Sequence, residues 1–498
     1  MSTIQITNLT FAYPGQDNIF TNQNLTFDSN WKLGLTGRNG RGKTTLLNLL
    51  RGELTGSGTI TMPLTPVYFP QHVADPSLDA WQVADNVTTA ELWQVQRELT
   101  QMNVDEEILY RPFSSLSGGE QTKVLLAATF ANDTGFPLLD EPTNHLDIAG
   151  RKQIGTYLHN KQTGFIVIAH DRAFLEAATD HTLTIEKQQL VLTQGNFAAY
   201  EQAKQRKDQT EYAEQSKLRK DIGRLKETAA AKRTWSAGRE ADKSGNPHEF
   251  RSGSVNNKGF IGARAARVMQ KAKNLEHRMD KEIAGKEELL KNVEFIDPLK
   301  MNYVPDHHDV LLRVRDVQLS YAGKPLFAPV TFELKRGDRL ALVGPNGSGK
   351  SSLIAAILGQ FQGDITGEID LAQTATRSLV RQMYPDNTGS LTDFAEKRGL
   401  SYEDLLSNLK KLGVERSVFT TPIESMSAGQ QKKVELAASL ATPSGLYIWD
   451  EPLNYLDVFN QDQLSELITS VQPTMLLTEH DRDFIQKVAT HTVELKPL

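Results

Sequence analysis

The sequence predicts an α/β fold that is present twice, with an α-helical hairpin joining the two copies. The loop Gly37-Arg-Asn-Gly-Arg-Gly-Lys-Thr44 recurs as Gly344-Pro-Asn-Gly-Ser-Gly-Lys-Ser351. In both copies a serine, a glutamate and a histidine follow this loop, separated by 24 and then 29 residues: Ser117, Glu141 and His170, and Ser427, Glu451 and His480. Identical order and spacing in two parts of one chain indicate a duplicated domain.

A chain of 498 residues is too long for one hydrophobic core and is typical of two to four domains. The copies are predicted to span residues 1–198 and 309–498, which leaves residues 199–308 as a separate linker. The chain has no cysteine, no export signal at its start and no uninterrupted apolar run of about 18 residues. We therefore expect a cytoplasmic protein without disulfides or membrane-spanning segments.

The linker has the pattern of an antiparallel helical hairpin. Apolar residues alternate at intervals of four and three on both sides of the segment 238–262, as in two helices packed along a narrow seam. Glycine, proline, serine and asparagine are concentrated within 238–262, which predicts a loop at the tip. A helix of about 30 residues extends about 45 Å, so the hairpin is expected to reach well outside the rest of the protein.

The linker is also basic, whereas the rest of the chain is acidic. Residues 201–300 contain 23 Lys and Arg against 16 Asp and Glu. The remaining residues contain 32 Lys and Arg against 45 Asp and Glu. Such a segment is typical of contact with nucleic-acid phosphates, although a solvated helical surface explains the charge equally well. The basic residues predicted to contact phosphates are Lys232, Arg233, Arg239, Lys243, Arg251, Lys258, Arg264 and Arg267.

Each repeated loop has the sequence context of a phosphate-binding loop, because an apolar strand pattern precedes it and a helical pattern follows it. The glycines allow backbone N–H groups to surround phosphates, the lysine binds the β- and γ-phosphates, and the following hydroxyl binds Mg²⁺. The sequence therefore predicts ATP and Mg²⁺ as cofactors. The residues predicted to bind ATP here are Gly37, Asn39, Gly40, Gly42, Lys43, Thr44 and Thr45, and Gly344, Asn346, Gly347, Gly349, Lys350, Ser351 and Ser352.

Two adjacent carboxylates end an apolar strand in each copy, at 136–141 and at 446–451. The aspartate stands where a Mg²⁺ ligand is needed, and the glutamate stands where a general base would activate the attacking water. The histidine that follows ends the next apolar strand, where it would contact the γ-phosphate. The predicted Mg²⁺ ligands are Asp140 and Asp450 with Thr44 and Ser351, and the predicted catalytic residues are Glu141, Glu451, His170 and His480.

The stretches Leu116-Ser-Gly-Gly-Glu120 and Met426-Ser-Ala-Gly-Gln430 resemble the signature motif of ATP-binding-cassette (ABC) proteins. The resemblance implies that two P-loop cassettes pair within one chain, so that each ATP lies between the phosphate loop of one cassette and the signature motif of the other. Ala428 departs from the family pattern, which has glycine there. It would place a Cβ beside the phosphates of the first site, so turnover at the two sites is expected to differ.

The same resemblance assigns further residues to the two sites. The signature residues that would contact ATP are Ser117, Gly118 and Gly119 for the second site, and Ser427 and Gly429 for the first. Gln71 and Gln382 match the family's glutamine loop, whose amide binds Mg²⁺ and assists catalysis. Tyr13 and Tyr321 match the aromatic residue that stacks on adenine, although packing within a strand also explains these tyrosines.

The architecture resembles the ABC-F family, which has two cassettes, no membrane domain and a charged helical linker. The ATPase subunit of a membrane transporter has no evident use for such a linker, and coiled-coil ATPases of DNA repair normally carry their arms inside a cassette. Four stretches that cover both cassettes and the linker resemble the Lsa-type antibiotic-resistance proteins of the ABC-F family: 31–35, 111–120, 262–268 and 449–459.

This resemblance implies that the ATP-bound protein enters the tRNA exit site of the 70S ribosome and contacts 23S rRNA and the P-site tRNA. The linker tip would displace lincosamides, pleuromutilins and streptogramin A. Phe250 and Phe260 would stack on unpaired bases or wedge near the drug site, or alternatively anchor the tip onto its own helices. An ABC-F translation factor that acts on stalled ribosomes without drug is the alternative function. We expect a monomer with neither DNA nor a membrane as partner.

Overall fold

The computed structural model describes residues 2–15, 17–144, 146–186, 189–204, 298–372 and 376–497, and the single residues 206, 220, 223, 224 and 227. The chain divides into two compact units, 1–200 with 297–498, and 201–296. The first unit contains both predicted copies of the α/β domain, which we call cassette 1 (residues 2–200) and cassette 2 (residues 298–497). The seam of the predicted hairpin, its tip and all ten linker residues proposed to contact RNA or drug lie outside the described residues.

Cassette 1 contains two sheets. Its strands are β1 (Thr3–Phe11), β2 (Phe20–Asp28), β3 (Lys32–Gly37), β4 (Ser57–Thr61), β5 (Thr65–Phe69), β6 (Gly135–Asp140), β7 (Phe165–Ile168), β8 (His181–Glu186) and β9 (Gln189–Gln194). An antiparallel sheet has the order β2-β1-β4, and a larger sheet has the order β5-β6-β7-β3-β8-β9. The larger sheet is parallel except at β9, which pairs with β8 in antiparallel orientation.

The helices of cassette 1 connect these parallel strands. They are α1 (Lys43–Leu50), α2 (Ala80–Val87), α3 (Leu92–Gln101), α4 (Gly118–Ala131), α5 (Ile148–Asn160) and α6 (Arg172–Ala178), with 3-10 turns at Glu106–Tyr110 and Phe113–Ser115. Residues 197–204 are also helical. Strands β3, β6 and β7 are adjacent and parallel, so the phosphate loop, the paired carboxylates and the histidine meet at one edge of the sheet.

Cassette 2 repeats this plan. Its strands are β10 (Val310–Tyr321), β11 (Lys324–Pro325), β12 (Val330–Lys335), β13 (Arg339–Val343), β14 (Asp364–Leu371), β15 (Arg377–Val380), β16 (Leu446–Asp450), β17 (Met475–Thr478) and β18 (His491–Glu494). Its helices are α7 (Lys350–Ile357), α8 (Leu391–Arg398), α9 (Tyr402–Lys411), α10 (Ala428–Ala441), α11 (Val458–Val471) and α12 (Arg482–Val488), with 3-10 turns at Arg416–Thr420 and Ile423–Ser425. The parallel sheet has the order β15-β16-β17-β13-β18, and β10 pairs in antiparallel orientation with β11, β12 and β14.

The central strands are largely apolar and are buried along most of their length, because helices or a second sheet cover both faces. All four residues of β7 and of β17 are buried, for example. The hydrophobic cores also meet between the cassettes, since Val458 at the start of α11 is 5% exposed and packs within a core cluster of cassette 1. Among the residues that the structure describes, no helix is long and apolar enough to cross a membrane.

Residues 298–308, which the sequence assigns to the linker, pack against the rest of cassette 2 in this structure. Leu299 is 5% exposed within the hydrophobic core of that cassette. The backbone N–H of Asn302 donates to the carbonyl of Leu440 at 3.0 Å, and Tyr303 forms an isolated bridge with Ser444. Cassette 2 therefore begins about ten residues before the first residue of β10.

Candidate functional site

The two phosphate loops require glycine at specific positions. Gly42 and Gly349, with φ of +93° and +87°, immediately precede α1 and α7. A Cβ at Gly42 would lie 2.4 Å from a methyl carbon of Ile19, and one at Gly349 would lie 2.9 Å from a phenylalanine ring. A larger residue would therefore be strained and would clash. Gly40 and Gly347 also have positive φ, but a Cβ there would meet nothing within 4 Å, so this part of each loop is open.

The loop lysines are buried and bind oxygen atoms of their own loops. Lys43 Nζ donates to the carbonyl of Gly37 at 2.8 Å and to Asn39 Oδ1 at 3.0 Å. Lys350 Nζ donates to the carbonyl of Gly344 and to the next carbonyl, both at 3.0 Å. Burial lowers the pKa of both lysines, although nearby carboxylates oppose this shift. Each ammonium group is thus placed where a phosphate oxygen would bind it better than these neutral acceptors do.

A hydroxyl and a carboxylate meet at each predicted Mg²⁺ site. Thr44 Oγ1 donates to Asp140 Oδ2 at 2.8 Å, and the hydroxyl of Tyr68 donates to the same oxygen at 3.0 Å. In cassette 2, Ser351 forms a hydrogen bond with Asp450. Burial raises the pKa of both aspartates, and the adjacent glutamate raises each of them further. A cation at these carboxylates would offset the unfavourable burial of their charge.

The two glutamines have different partners. Gln382 Nε2 donates to Asp450 Oδ1 at 3.4 Å, at the edge of the predicted Mg²⁺ site. Gln71 Nε2 instead donates to Thr129 Oγ1 at 2.7 Å, and Gln71 Oε1 is buried with no hydrogen-bond partner among the described residues. A hydroxyl, a carboxylate and an amide oxygen are the hard oxygen ligands that Mg²⁺ prefers, so the residues present fit this ion.

The candidate catalytic glutamates have a left-handed backbone. Glu141 has φ of +53° and Glu451 has φ of +48°, a region that costs of order 1–3 kcal/mol for residues other than glycine. His170 Nε2 lies 2.9 Å from Glu141 Oε1, and His480 Nε2 lies 3.5 Å from Glu451 Oε1. Within the described part of the chain, His480 Nδ1 is buried without a hydrogen-bond partner, whereas Nε2 keeps its longer contact with Glu451. This longer contact leaves Nε2 less tightly held than that of His170 and so easier to turn towards a γ-phosphate.

Each signature serine begins a helix. Ser117 precedes α4 and Ser427 precedes α10, and each hydroxyl accepts the backbone N–H of the residue three positions later at 3.3 Å. The side chains of Glu120 and Gln430 accept the serine N–H in return, which completes a capping box. Ala428 is the first residue of α10, within the turn whose N–H groups would face an anion.

A cavity of about 560 Å³ contains the second candidate ATP site. Its walls come from both cassettes, and its volume is in the range of small-molecule binding sites. The structure therefore brings together the two halves that the sequence assigns to this site. The predicted residues that line it are Ser117, Gly118 and Gly119 from cassette 1, and Asn346, Gln382, Glu451 and His480 from cassette 2.

In the first candidate site, cassette 2 contacts the phosphate loop of cassette 1 directly. The backbone N–H of Asn39 donates to Asp457 Oδ2 at 2.6 Å, and Asn39 Nδ2 donates to the carbonyl of Tyr455 at 2.9 Å. The signature glycine Gly429 lies against the same segment, because a Cβ there would be 3.6 Å from the Tyr455 carbonyl. The segment Tyr455–Asp457 thus joins the phosphate loop of one cassette to the signature motif of the other.

Buried charges balance one another at this contact. Asp457 is 2% exposed, and it also caps α11 by accepting a backbone N–H at 2.9 Å. Burial alone would raise its pKa, but Lys433, Lys43 and the Asn39 N–H hold it below its usual value. Lys433 is 3% exposed, and burial lowers its pKa to about 8 even though Asp457 opposes the shift. Its Nζ donates to the carbonyl of Leu412 at 2.7 Å.

The two tyrosines predicted to stack on adenine are not equivalent. Tyr13 is partly buried, its hydroxyl forms a hydrogen bond with Thr45 Oγ1 at 3.2 Å, and its ring packs edge-on against Phe11 at 5.1 Å. Tyr321 is 48% exposed and packs against Phe361 with 4.9 Å between ring centroids. Tyr13 is therefore tied to the start of α1 beside its phosphate loop, whereas Tyr321 leaves much of its surface available to a ligand.

Several residues at the two sites were not predicted from the sequence. Asp147 and Arg151 of cassette 1 and Asn454 of cassette 2 line the cavity of the second site. Tyr455 and Asp457 of cassette 2 contact the phosphate loop of the first. Most of these lie in or beside the repeated stretches 140–147 and 450–457, so the repeat itself was the signal that could have identified them.

Comparison with protein families and with known proteins gives consistent matches along the chain. A family model described as "ABC transporter" matches residues 20–144 and 327–454, which together make half of the chain. The ribosome protection protein VmlR of Bacillus subtilis is 27% identical over 488 residues, covering 97% of this chain and 85% of that protein. The erythromycin resistance ATP-binding protein MsrA of Staphylococcus epidermidis is 28% identical over 476 residues, covering 93% of this chain and 92% of that protein. The ATP-binding protein Uup of Escherichia coli is 26% identical over 537 residues, covering 95% of this chain and 77% of that protein.

Solved structures with two cassettes have the same fold. The archaeal ribosome recycling factor aABCE1, in complex with the stalk protein aP1, superimposes with a TM-score of 0.63 at 19% identity, covering 98% of this chain and 87% of that chain. The RNase-L Inhibitor superimposes with a TM-score of 0.60 at 18% identity, with the same coverage of both chains. At this level of identity the likeness concerns the fold alone.

Proposed function

Since the chain belongs to the ABC transporter family through both of its cassettes and is an ATPase, we propose that it is an ABC-F protein that protects the bacterial ribosome from antibiotics. The drugs would be those of the peptidyl-transferase centre: lincosamides, pleuromutilins and streptogramin A. In this proposal the ATP-bound protein enters the tRNA exit site, contacts 23S rRNA and the P-site tRNA, and displaces drug through the linker tip.

The observation that carries this proposal is the similarity to VmlR and MsrA over nearly the whole chain. VmlR is named a ribosome protection protein and MsrA an erythromycin resistance protein, and the alignments cover 97% and 93% of this chain. Similarity confined to the cassettes would indicate only that the proteins share ATPase activity. Similarity that extends through the linker favours a shared function in which that activity is used. The net positive charge of residues 201–300 is consistent with RNA contact.

Different residues of each site would bind ATP, hold Mg²⁺ and hydrolyse the nucleotide. Lys43 and Lys350 would bind the phosphates, and Mg²⁺, which neutralises phosphate charge when bound, would be held by the hydroxyl, aspartate and glutamine of each site. Glu141 and Glu451 would orient the attacking water and accept its proton, while the histidine beside each glutamate would contact the γ-phosphate. Signature residues would complete each site only when the cassettes pair, so ATP would favour the paired state that binds the ribosome.

A second candidate function is a translation factor that acts on stalled ribosomes without drug. The 26% identity to the Uup proteins, which are named only as ATP-binding proteins, supports keeping this alternative. A subunit of a membrane transporter is less well supported, because VmlR, MsrA and Uup are named for ribosome protection, resistance and ATP binding.

The experiment that tests the proposal measures the minimum inhibitory concentrations of lincomycin, tiamulin and virginiamycin M in a susceptible Gram-positive host that expresses this chain. The matched control carries Glu141→Gln and Glu451→Gln, which should keep the fold and ATP binding but stop turnover. Raised values for the wild type alone would support ATPase-dependent protection. Unchanged values, with the double variant still sedimenting with ribosomes in ATP, would contradict protection and favour the translation factor.

A separate experiment tests the RNA contacts of the linker. Lys232, Arg233, Arg264 and Arg267 are changed together to glutamine, and ribosome binding is measured by filter retention over a series of salt concentrations. We expect weaker binding and a shallower dependence on salt, because the slope falls by about one unit for each phosphate that is no longer neutralised. An unchanged slope would contradict direct phosphate contact. Replacement of Lys324 and Lys335, which lie in strands of cassette 2, is the matched control.

A further inference from the structure

Cassette 2 contains two buried charged residues beside its candidate catalytic groups that cassette 1 lacks. Lys432 is 2% exposed and Glu479 is 3% exposed. The equivalent positions in cassette 1, counted from the signature serine and from the catalytic glutamate, are Thr122 and Ala169. Fully buried lysine and glutamate are rare unless other groups compensate their charge. Their presence at one site and not the other indicates a role particular to cassette 2.

The carboxylate of Glu479 connects two catalytic segments of cassette 2. Glu479 Oε1 accepts the backbone N–H of His480 at 2.8 Å, and Oε2 accepts the backbone N–H of Leu453 at 3.1 Å. Leu453 lies two residues after Glu451, whose backbone is left-handed with φ of +48°. One buried carboxylate therefore holds the segment that follows the candidate base in a fixed relation to the candidate phosphate-binding histidine.

The ammonium group of Lys432 connects two other segments of the same site. Lys432 Nζ donates to the carbonyl of Arg381 at 3.2 Å and to the carbonyl of Asp450 at 3.5 Å. These carbonyls immediately precede Gln382 and Glu451 in the chain. Lys432 thus fixes the backbone from which the glutamine and the catalytic glutamate project.

The charge of Lys432 also depends on that of Glu479. Burial lowers the pKa of Lys432, and Glu479 is the principal group that opposes this shift. Burial raises the pKa of Glu479, and the two backbone N–H groups that it accepts oppose that shift together with Arg151 and His480. Removal of Glu479 would therefore leave Lys432 as a buried charge with less compensation, whereas removal of both would not.

We propose that Lys432 and Glu479 are a pair of buried positioning residues that sets the geometry of the second ATP site for hydrolysis. In cassette 1, His170 contacts Glu141 at 2.9 Å without such a pair, so the two sites hold the same catalytic groups by different means. The inference rests on the proposed roles of Glu451 and His480 and is independent of the proposed ribosomal partner.

The test uses the full-length chain with Glu141→Gln, which confines hydrolysis to the second site. Lys432→Met and Glu479→Gln, both close to isosteric, are introduced singly and together. We expect each single variant to lower kcat about tenfold or more with KM for ATP within about twofold, because misplaced groups slow the reaction more than they weaken binding. The double variant should lose about as much as Glu479→Gln alone, since it leaves no buried lysine without its main compensating charge.

Arg313 and Glu333 provide a matched control, because they form an exposed ion pair at 3.0 Å in cassette 2. Arg313→Met with Glu333→Gln should leave kcat and KM within about twofold of the parent. Unchanged kcat in the single variants, or effects that simply multiply in the double variant, would overturn the inference. Residual hydrolysis at the wild-type rate in Glu141→Gln with Glu451→Gln would instead contradict the assignment of the glutamates, and the inference would fail with it.

Discussion

Replacement of Lys433 by methionine should stabilise the protein at neutral pH. Lys433 is 3% exposed, and its ammonium group donates a hydrogen bond to the carbonyl of Leu412 at 2.7 Å. Burial lowers its pKa to about 8 from an ordinary value of 10.5, and Lys43 and Arg38 add to that shift while Asp457 opposes it. The folded protein therefore binds the proton of this ammonium group less tightly than the unfolded chain does.

The size of the effect follows from that difference in pKa. Between pH 8 and 10.5 the unfolded chain binds more protons at this residue than the folded protein, so stability increases as the pH rises through this window. At pH 7 the burial of the charge costs about 3 kcal/mol, and at pH 9.5 it costs about 1 kcal/mol. Loss of the hydrogen bond to Leu412 costs about 1 kcal/mol at both pH values. Methionine should thus stabilise by about 2 kcal/mol at pH 7 and by almost nothing at pH 9.5.

Thermal unfolding of the wild type and of Lys433→Met at pH 7 and pH 9.5 checks this prediction. A gain of about 2 kcal/mol corresponds to an increase in Tm of roughly 4–8 °C for a domain of this size. Lys410→Met, an exposed lysine in the last turn of α9, is the matched control and should show no such dependence on pH. A variant less stable than the wild type at pH 7, or equally stabilised at both pH values, would refute the reasoning.

Three further predictions concern the phosphate loop, the signature motif and the left-handed glutamate. Gly42→Ala should abolish ATP binding and destabilise cassette 1 by about 3 kcal/mol or more, since its Cβ would lie 2.4 Å from a methyl carbon of Ile19. Nucleotide titration measures the loss of binding, and thermal unfolding measures the loss of stability. Ala428→Gly should raise turnover at the first site in a chain whose second site is inactive, and lower turnover would contradict a steric role of the methyl group. Glu451→Gly should stop turnover at the second site yet stabilise the protein by about 1 kcal/mol relative to Glu451→Ala, because glycine adopts φ of +48° without strain.

The fold and most of the catalytic groups could be predicted from the sequence because they depend on local patterns that occur twice. A buried parallel strand, a glycine-rich loop and a helix N-terminus are each recognisable within about ten residues. The aspartate and glutamate at the end of β6 and β16 follow from the same logic, since parallel strands present their carboxyl ends at one edge of the sheet. Because the domain is duplicated, the spacing between motifs in one copy could also be checked against the spacing in the other.

The remaining features depend on contacts between the cassettes or on burial, which no local pattern encodes. The hydrogen bond from Asn39 to Asp457 joins residues 418 positions apart. Lys432 and Lys433 look like solvated lysines in the sequence, yet both are buried in α10. The orientation of Gln71 towards Thr129, unlike that of Gln382, depends on the packing of α4 and was also beyond prediction.

Asp457 serves both cassettes with one side chain. Its Oδ1 accepts a hydrogen bond from the backbone N–H of Asn460 and so caps α11. Its Oδ2 accepts a hydrogen bond from the backbone N–H of Asn39, in the phosphate loop of cassette 1. A displacement of that loop is consequently transmitted to a helix end through a single rigid carboxylate group. Hydrogen exchange of the amides in the first turn of α11 would therefore report, from within cassette 2, whether the hydrogen bond between Asp457 and the phosphate loop of cassette 1 is intact or broken.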